Sequence, residues 1–516
     1  MKKRALALLV AIVFILPFLF AGCTNGANSS SKPFIFAQGA DPRGLDPAYV
    51  DDGESAKVMC NIYEGLLKYK GETTELEPCL ADSWTVSDDG LVYTFKLHPG
   101  VKFHDGTEFN AEAVKYSVDR QLPPNRTDDM PYASFTFGPV EKVEVVDNLT
   151  VKFTLTMPYT PFLANLAMTL AAPIVSPTAA KAANGNLNEN PVGTGPFKFV
   201  KWDKGQSLTI ERNDQYWGEK AKLQKIIFQF IKENSVRASK LAAGEIDAMD
   251  GLDPNDVKML EDKKMSIFKA PGMNINYLCF NCEREPFNDP KLREAVSHAI
   301  NVEELVTYLY QGYSTVANSP LPDFMPGYDK DVKPYNYDPE KAKAMLKELG
   351  KENLTIKIIT YPNPRPYNPV GGQKLAEAIQ GYLTKVGITA TIEPYEWTDY
   401  KTRIGNGEGD IAFYGWTGDN GDTDNFLSLL DSHEIDSTLN SANYSSAKVD
   451  ELLVKARKLP NGDERNATYK EIQQILAIDA PWLPISHSTS MAAYQPSVKG
   501  FSVHPTGSVF FAGVTK

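Results

Sequence analysis

Little in this sequence of 516 residues supports catalysis. No G-x-S-x-G, H-E-x-x-H or G-x-x-x-x-G-K-[ST] occurs, so the common serine-hydrolase, zinc-protease and phosphate-loop signatures are missing. The six histidines (His98, His104, His298, His433, His487 and His504) are scattered, with no i,i+4 pair to hold a metal on one helix face. The glycine-rich "GNGEG" at 405–409 precedes a strand, the wrong context for a dinucleotide site. Beyond the N-terminus there is no block of Lys or Arg, and the net charge is −12. Nucleic acid is therefore not an expected partner, because phosphate binding needs a basic footprint. Internal repeats and long disordered linkers are also lacking. Neither an enzyme nor a cofactor is expected.

What is present begins with a targeting segment. Met1-Lys2-Lys3-Arg4 is a cationic start, Ala5 to Phe20 is apolar, and small residues then lead to Cys23. The apolar run is short for a membrane span. Ala21-Gly22-Cys23 resembles a bacterial lipobox, although Phe20 stands where Leu is usual and Leu19 falls one place early. This implies a signal peptide over 1–22, a lipidated Cys23 and a polar tether over 23–32, rather than a plain secretory signal or an uncleaved anchor. Loss of the three signal cations leaves an exported body at about −15.

Four of the five cysteines remain after the lipobox. Export permits disulfides, and the pairing of Cys60 with Cys79 stays open at this stage. Cys279 and Cys282 form a CxxC, but "NYLCFNCE" reads as a strand, on which residues three apart face opposite sides. No second CxxC accompanies it, so two packed thiols are expected.

The length calls for two or more lobes. The spacing predicts a strand at 34–37, a helix from Ser55 to Leu67, and hairpins turning at Asp88-Asp89-Gly90 and Asp147-Asn148. Asn110 should cap a helix reaching about Arg120. The second half is more regular. A strand at 354–361, a helix from Gly372 to Val386 stopped by Gly387, a strand "ITATIEPY", a helix "WTDYKTRI" and a strand at 410–416 follow one another. This β-α-β-α-β order predicts a mostly parallel sheet, with ligands beyond the carboxyl ends of its strands.

Two such ends are chemically loaded. One runs into "PNPRPYNP", the other into "TGDNGDTDNF". Arg365 and Asp419 should therefore share one rim. An EF-hand reading of Asp419, Asp422 and Asp424 fails, because the required Gly and the bidentate Glu are missing in either register. A clamp fits better. Arg365 suits a carboxylate and Asp419 an ammonium. A zwitterion two extended residues long, about 7 Å, can reach both. Trp416, Tyr367, Trp397 and Phe426 offer pocket walls or ordinary core. Asp422 and Asp424 are expected to shape the loop by capping backbone donors, away from ligand.

The whole body, from about 34 to 510, resembles the family 5 solute-binding proteins of ABC importers, and most closely those of the dipeptide type. The resemblance rests on "LADSWTVSDDGLVYTFKLHPGVKFHDGTEF", "VGTGPFKFVKW", "YLCFNCEREPFNDPKLREAVSHAI" and "YNYDPEKAKAMLKELG", with "RPYNP", "YEWTDY" and "GWTGDNGDTDNF" as the dipeptide-type stretches. Thr423 stands where Pro is usual, and one extra residue follows the Arg365 loop at "VGGQK". The resemblance implies an α/β, two-lobed periplasmic-binding-protein-like fold (type II, cluster C). Lobe I would be 33–270 plus 487–516, with an extra subdomain near 47–190, and lobe II would be 271–486. It implies that Asp419 takes a peptide amine and Arg365 the peptide carboxylate. Backbone near Gly415 and Gly418, and Ala40 in "QGADPRGLDP", would hold the peptide bond. Trp416, Tyr367 and Trp397 would line the site. The implied protein is a monomer at the outer face of the cytoplasmic membrane or in the periplasm. It would capture di- or tripeptides and pass them to an ABC permease. Longer oligopeptides, haem, a nickel chelate and peptide-signal sensing are the alternatives within that fold.

Overall fold

Thr355–Thr360 is a run of Thr and Ile, residues that fit a pleated, buried surface. It pairs in parallel with Thr389–Pro394 on one side and Ile411–Thr417 on the other, with Ile358 opposite Ile411 and Ile359 opposite Ala412. The intervening helix Gly372–Lys385 buries Leu375, Ala376, Ile379 and Leu383, spaced for one face, and Gly387 at φ +87° ends it. The second helix, Trp397–Gly405, buries Tyr400 and Ile404. The predicted β-α-β-α-β unit is present, and its parallel strands bring the loops after residues 360 and 417 to the same edge.

This computed structural model describes residues 32–333, 335–437 and 439–516, of which Pro33–Lys516 form one compact unit. Lipidation at Cys23 and the 1–22 signal lie outside the described residues. Among the described residues, no helix is long and apolar enough to cross a membrane.

Two large apolar cores divide the body. One gathers residues from Phe34 to Ala248 and from Ala492 to Val514; the other runs from Met273 to Ile485. A small third cluster sits around Leu241, Met249 and Leu260. The body around each large core is a lobe. A single twelve-stranded sheet nevertheless runs through both. Its continuity depends on Trp482–Tyr494, a strand of 13 residues. Its first part pairs with Asn274–Phe280, and its last part pairs with Ser266–Pro271 and Ala248–Asp250. The chain crosses between lobes again at 271–274. There Asn274 brackets Ser488, donating to its carbonyl (2.9 Å) and accepting from its N–H (2.8 Å). A Cβ on Gly272 would lie 2.1 Å from that Ser488 carbonyl, so the crossing requires glycine.

The first lobe carries a separate four-stranded sheet built from the two predicted hairpins. Asn110 caps Ala111–Asp119 as expected. The helix expected over Ser55–Leu67 is shorter, Gly53–Met59, and Leu67 already begins a strand. The reason is tertiary. The carbonyls of Asn61 and Ile62, which a longer helix would use internally, accept instead from Phe197 and Gly195 of the "GTGPF" turn. The "NYLCFNCE" strand stops at Phe280, leaving Cys282 beyond it. Cys60, Cys79, Cys279 and Cys282 are all free thiols. Burial pushes Cys279 up to about 12 and Cys282 up to about 11, so both are protonated and unreactive at neutral pH.

The loop after Ile411–Thr417 is held by ion pairs. Asp422 meets Arg465 through two 2.8 Å bonds, with the side chains 7% and 5% exposed. Asp424 meets Arg457 at 2.8 Å. Asp422→Ala should therefore lower unfolding free energy by roughly 3–5 kcal/mol, because Arg465 is left buried and alone. Urea unfolding measures it, and a loss below about 1 kcal/mol, the level of an exposed pair, would show the pair to be unimportant.

Candidate functional site

The rim formed by the two parallel strand ends is built from rigid pieces. Arg365 and Asn368 exchange backbone hydrogen bonds of 2.9 Å, closing the "RPYN" turn. Asn368 is buried, donates to the Tyr361 hydroxyl (3.1 Å) and accepts from the Tyr310 hydroxyl (2.9 Å). The turn thus sets where Arg365 emerges. Its guanidinium carbon lies 3.6 Å from the centre of the Trp397 ring, a cation–π contact. Trp397 in turn stacks on Tyr414 (5.6 Å, 17°) and meets Tyr361 edge-on. Tyr414 and Trp416 alternate on one face of their strand. Trp416 packs against both cores and lies parallel to Tyr132 of the first lobe (6.4 Å, 8°).

Asp419 follows at the other end of this aromatic row. Its N–H and the Trp416 indole both donate to one oxygen of Asn425, at 3.0 and 2.8 Å. That shared acceptor sets the carboxylate and the ring relative to each other. Two tyrosines of the first lobe reach across: Tyr132 donates to the carboxylate (3.2 Å) and Tyr69 to the Asp419 carbonyl (2.6 Å). Burial pushes the Asp419 carboxyl up to about 7, against the lowering effect of the Tyr132 and Asn425 hydrogen bonds. Asp419 still keeps some accessible surface, as a group lining a cleft does.

Among the described residues, Asp419 and Arg365 take part in no ion pair. The Arg365 Nε is buried without a hydrogen-bond partner. An uncompensated anion and cation therefore sit on one rim, between two lobes, joined by aromatic rings. Such a cleft can take a zwitterion with an apolar body.

Several expected residues have other roles. A Cβ on Gly415 would fall 2.2 Å from the Tyr367 ring, and one on Gly418 would fall 2.8 Å from Phe426. Both glycines make room for buried aromatics. Tyr367 is buried against Gly415, and Phe426 is wholly buried core, so Phe426 is not a pocket wall. Gly421 is glycine because Thr74 of the opposite lobe occupies its Cβ position. Asp422 does cap the Asp424 N–H (2.9 Å), but the main partners of Asp422 and Asp424 are arginines, which correct the capping expectation. Thr423 donates to the Pro326 carbonyl. Ala40 is exposed, and its carbonyl accepts from Gln38 (2.9 Å); among the described residues, no hydrogen bond ties it to Arg365 or Asp419. Tyr69, Tyr132 and Asn425 were not anticipated. Asn425 lies within the conspicuous loop, whereas the tyrosines lie in the other lobe, with no local signal.

The profile of the bacterial extracellular solute-binding proteins, family 5 Middle, matches residues 75–437. The dipeptide-binding protein of Escherichia coli (strain K12) is 36% identical over 521 residues, covering 95% of this chain and 96% of that protein. The ABC transporter-associated periplasmic binding protein DppA from Helicobacter pylori, solved with peptide STSA, has a TM-score of 0.85 and 37% identity, over 93% of this chain and 98% of that one. The dipeptide-binding protein from Pseudoalteromonas sp. SM9913, solved with Met-Leu, has a TM-score of 0.89 and 29% identity, over 94% and 100%.

The raised Asp419 carboxyl has a consequence for stability. The folded, ligand-free protein keeps a proton that the unfolded chain gives up near pH 3.8. The resulting stabilisation is complete below that value and is lost as pH rises through about 7. Asp419→Asn, uncharged throughout, should therefore gain in melting temperature relative to wild type between pH 5 and 8. A difference independent of pH in thermal melts would contradict the assignment.

Proposed function

The chain belongs to the bacterial extracellular solute-binding proteins of family 5, and from that premise we propose that it captures dipeptides, and tripeptides at the longest, between its lobes for an ABC importer. The two-lobed α/β fold implied by the sequence resemblance is borne out. In the proposed complex Asp419 pairs with the peptide amine and Arg365 with its carboxylate. Trp416, Trp397 and Tyr367 line the cleft, and backbone near Gly415 and Gly418 holds the peptide bond. Ala40 contributes backbone from the first lobe. The observation that carries this reading is the pair of charges without a counter-ion among the described residues: Arg365 seated on Trp397, and Asp419, whose carboxylate accepts from the Tyr132 hydroxyl.

Lobe I is assigned to 33–270 and 487–516, with an extra subdomain near 47–190, and lobe II to 271–486. The crossings at 271–274 and within Trp482–Tyr494 support these limits. A ligand that touches both lobes binds the closed state better and shifts the equilibrium toward it. The closed form would then engage the permease. Cys23 would carry the lipid that holds the monomeric protein at the outer face of the cytoplasmic membrane or in the periplasm. The reading is that of a binding protein rather than an enzyme. The STSA complex of the relative from Helicobacter pylori favours longer peptides as the second reading.

Calorimetric titration of the body from Lys32, stripped of ligand by unfolding and refolding, tests this. Ala-Phe should bind tightly. Its N-acetyl form and its C-terminal amide should each lose affinity by roughly 3–5 kcal/mol, since one buried charge loses its partner. Affinity for the free amine should rise with pH toward about 7, because only ionised Asp419 pairs with an ammonium, and fall again above about 8 as the peptide amine loses its own proton. Indifference to blocked termini would exclude the clamp, and equal binding of Ala-Ala-Ala-Phe would favour the oligopeptide reading.

A further inference from the structure

Away from the two anchors, two ion pairs join the lobes among the described residues: Lys232 with Glu396 (3.6 Å), which is exposed, and Asp51 with Lys401, which is better shielded. Asp51 precedes the Gly53–Met59 helix of the first lobe, and Lys401 lies on Trp397–Gly405 of the second. Lys401 Nζ is 2.8 Å from Asp51 Oδ2, and the other Asp51 oxygen pairs with Arg43 of its own lobe. Both side chains of the cross-lobe pair are 25% exposed, so the contact is partly shielded from solvent where the two lobes meet. Burial pushes the Asp51 carboxyl up, but Lys401 and Arg43 outweigh it and hold the group below its ordinary value. Lys401 stands four residues after Trp397, hence one turn further along the same helix face.

We propose that the Asp51–Lys401 pair is the end wall of the cleft and determines the length of peptide the protein accepts. This rests on the dipeptide reading above. Trp397 carries Arg365 on its ring and Lys401 lies one turn further along that helix, so we take a residue added beyond the paired carboxylate, about 3.5 Å of chain, to run toward Lys401. A neighbouring chain needs about 4.8 Å of clearance, and a contact of 2.8 Å between the lobes leaves none. A longer peptide must part Asp51 from Lys401 in a site that is three-quarters buried. The cost falls on longer ligands alone, which makes the pair a source of specificity as well as of closure.

The test is titration of the full chain in detergent, stripped of ligand, with Ala-Phe and with Ala-Phe-Ala. The variants are Lys401→Ala, Lys401→Arg and Asp51→Asn. Lys401→Ala is the informative change, since Asp51 keeps Arg43 as a partner. Wild type should favour the dipeptide. In Lys401→Ala the preference, as a ratio of dissociation constants, should fall by about tenfold or more, while Lys401→Arg retains it; each tenfold step is a clear calorimetric signal. Asp51→Asn should relax the preference likewise, and it replaces Lys401→Ala if that variant fails to melt as wild type does. An unchanged ratio, with both affinities falling together, would overturn the proposal, because a pair that only held the lobes shut would behave so. A wild type that binds both lengths equally overturns it too, while leaving peptide binding intact. A wild type that binds no peptide refutes the dipeptide reading itself.

Discussion

A carboxylate buried without a counter-charge is costly, and the loop between Gly415 and Phe426 shows how selectively that cost is accepted. Three aspartates lie within six positions. Asp422 is neutralised by Arg465 and Asp424 by Arg457, each through charge-assisted bonds of 2.8 Å. Asp419 meets no cation among the described residues, and its carboxylate accepts from the Tyr132 hydroxyl. The same contrast appears on the other side of the rim, where Arg365 rests on an aromatic face and leaves its Nε unpartnered. The arginine pairs make the loop stiff enough to hold a bare charge in place. In the proposed complex a ligand would supply the missing cation and anion.

Stiffness within each lobe is combined with continuity between them. The Trp482–Tyr494 strand belongs to the sheet of both lobes, and the chain returns beside it at 271–274. The bracket between Asn274 and Ser488, with glycine at position 272, concentrates the crossing in a few residues. Hinges of this kind absorb a change of angle while packed cores stay whole. Across the cleft the lobes meet mainly through side chains, Tyr132 and Tyr69 on Asp419, Asn420 on Asn165 and Lys401 on Asp51, with one backbone bond from the Thr160 N–H to the Arg457 carbonyl (2.8 Å).

The second lobe was more legible in the sequence than the first. Its β-α-β-α-β unit has strong periodicity, glycine stops and strands rich in Ile and Thr, all local signals that agree with the tertiary outcome. From that unit alone Arg365 and Asp419 could be set on one edge, because parallel neighbouring strands end together. The helix from Ser55 to Leu67 failed for the opposite reason. Its pattern continues past Cys60, but a turn more than 130 residues away takes the carbonyls the helix would need. Asp422 and Asp424 read as capping residues because Arg457 and Arg465 are distant in sequence. Tyr69, Tyr132 and Asp51 were invisible as site residues for the same reason: they face the rim only once the lobes meet. The glycines at 415 and 418 were read as offering backbone to a peptide, and a Cβ at either would also meet Tyr367 or Phe426. A glycine announces close approach but not what approaches.

The placement of Asp419 also explains how a ligand could favour closure when the lobes already touch without one. In an open cleft the carboxylate would be hydrated and ionised at its ordinary value. In the closed protein it is desolvated, and its carboxyl rises to about 7, so near neutral pH closure is opposed by the ionised form. Hydroxyl donors relieve this only in part, since Tyr132 contributes one bond of 3.2 Å. An ammonium placed there removes the penalty in the closed state and gains little in the open one, where water already solvates the charge. The difference between those two gains is what shifts a conformational equilibrium. The same logic applies to Arg365, whose guanidinium is held against a ring and away from solvent on one side. Under the proposed reading each anchor would be more useful for being poorly satisfied, and the protein's own cross-cleft contacts would need only to hold the lobes in register until a ligand's charges complete them.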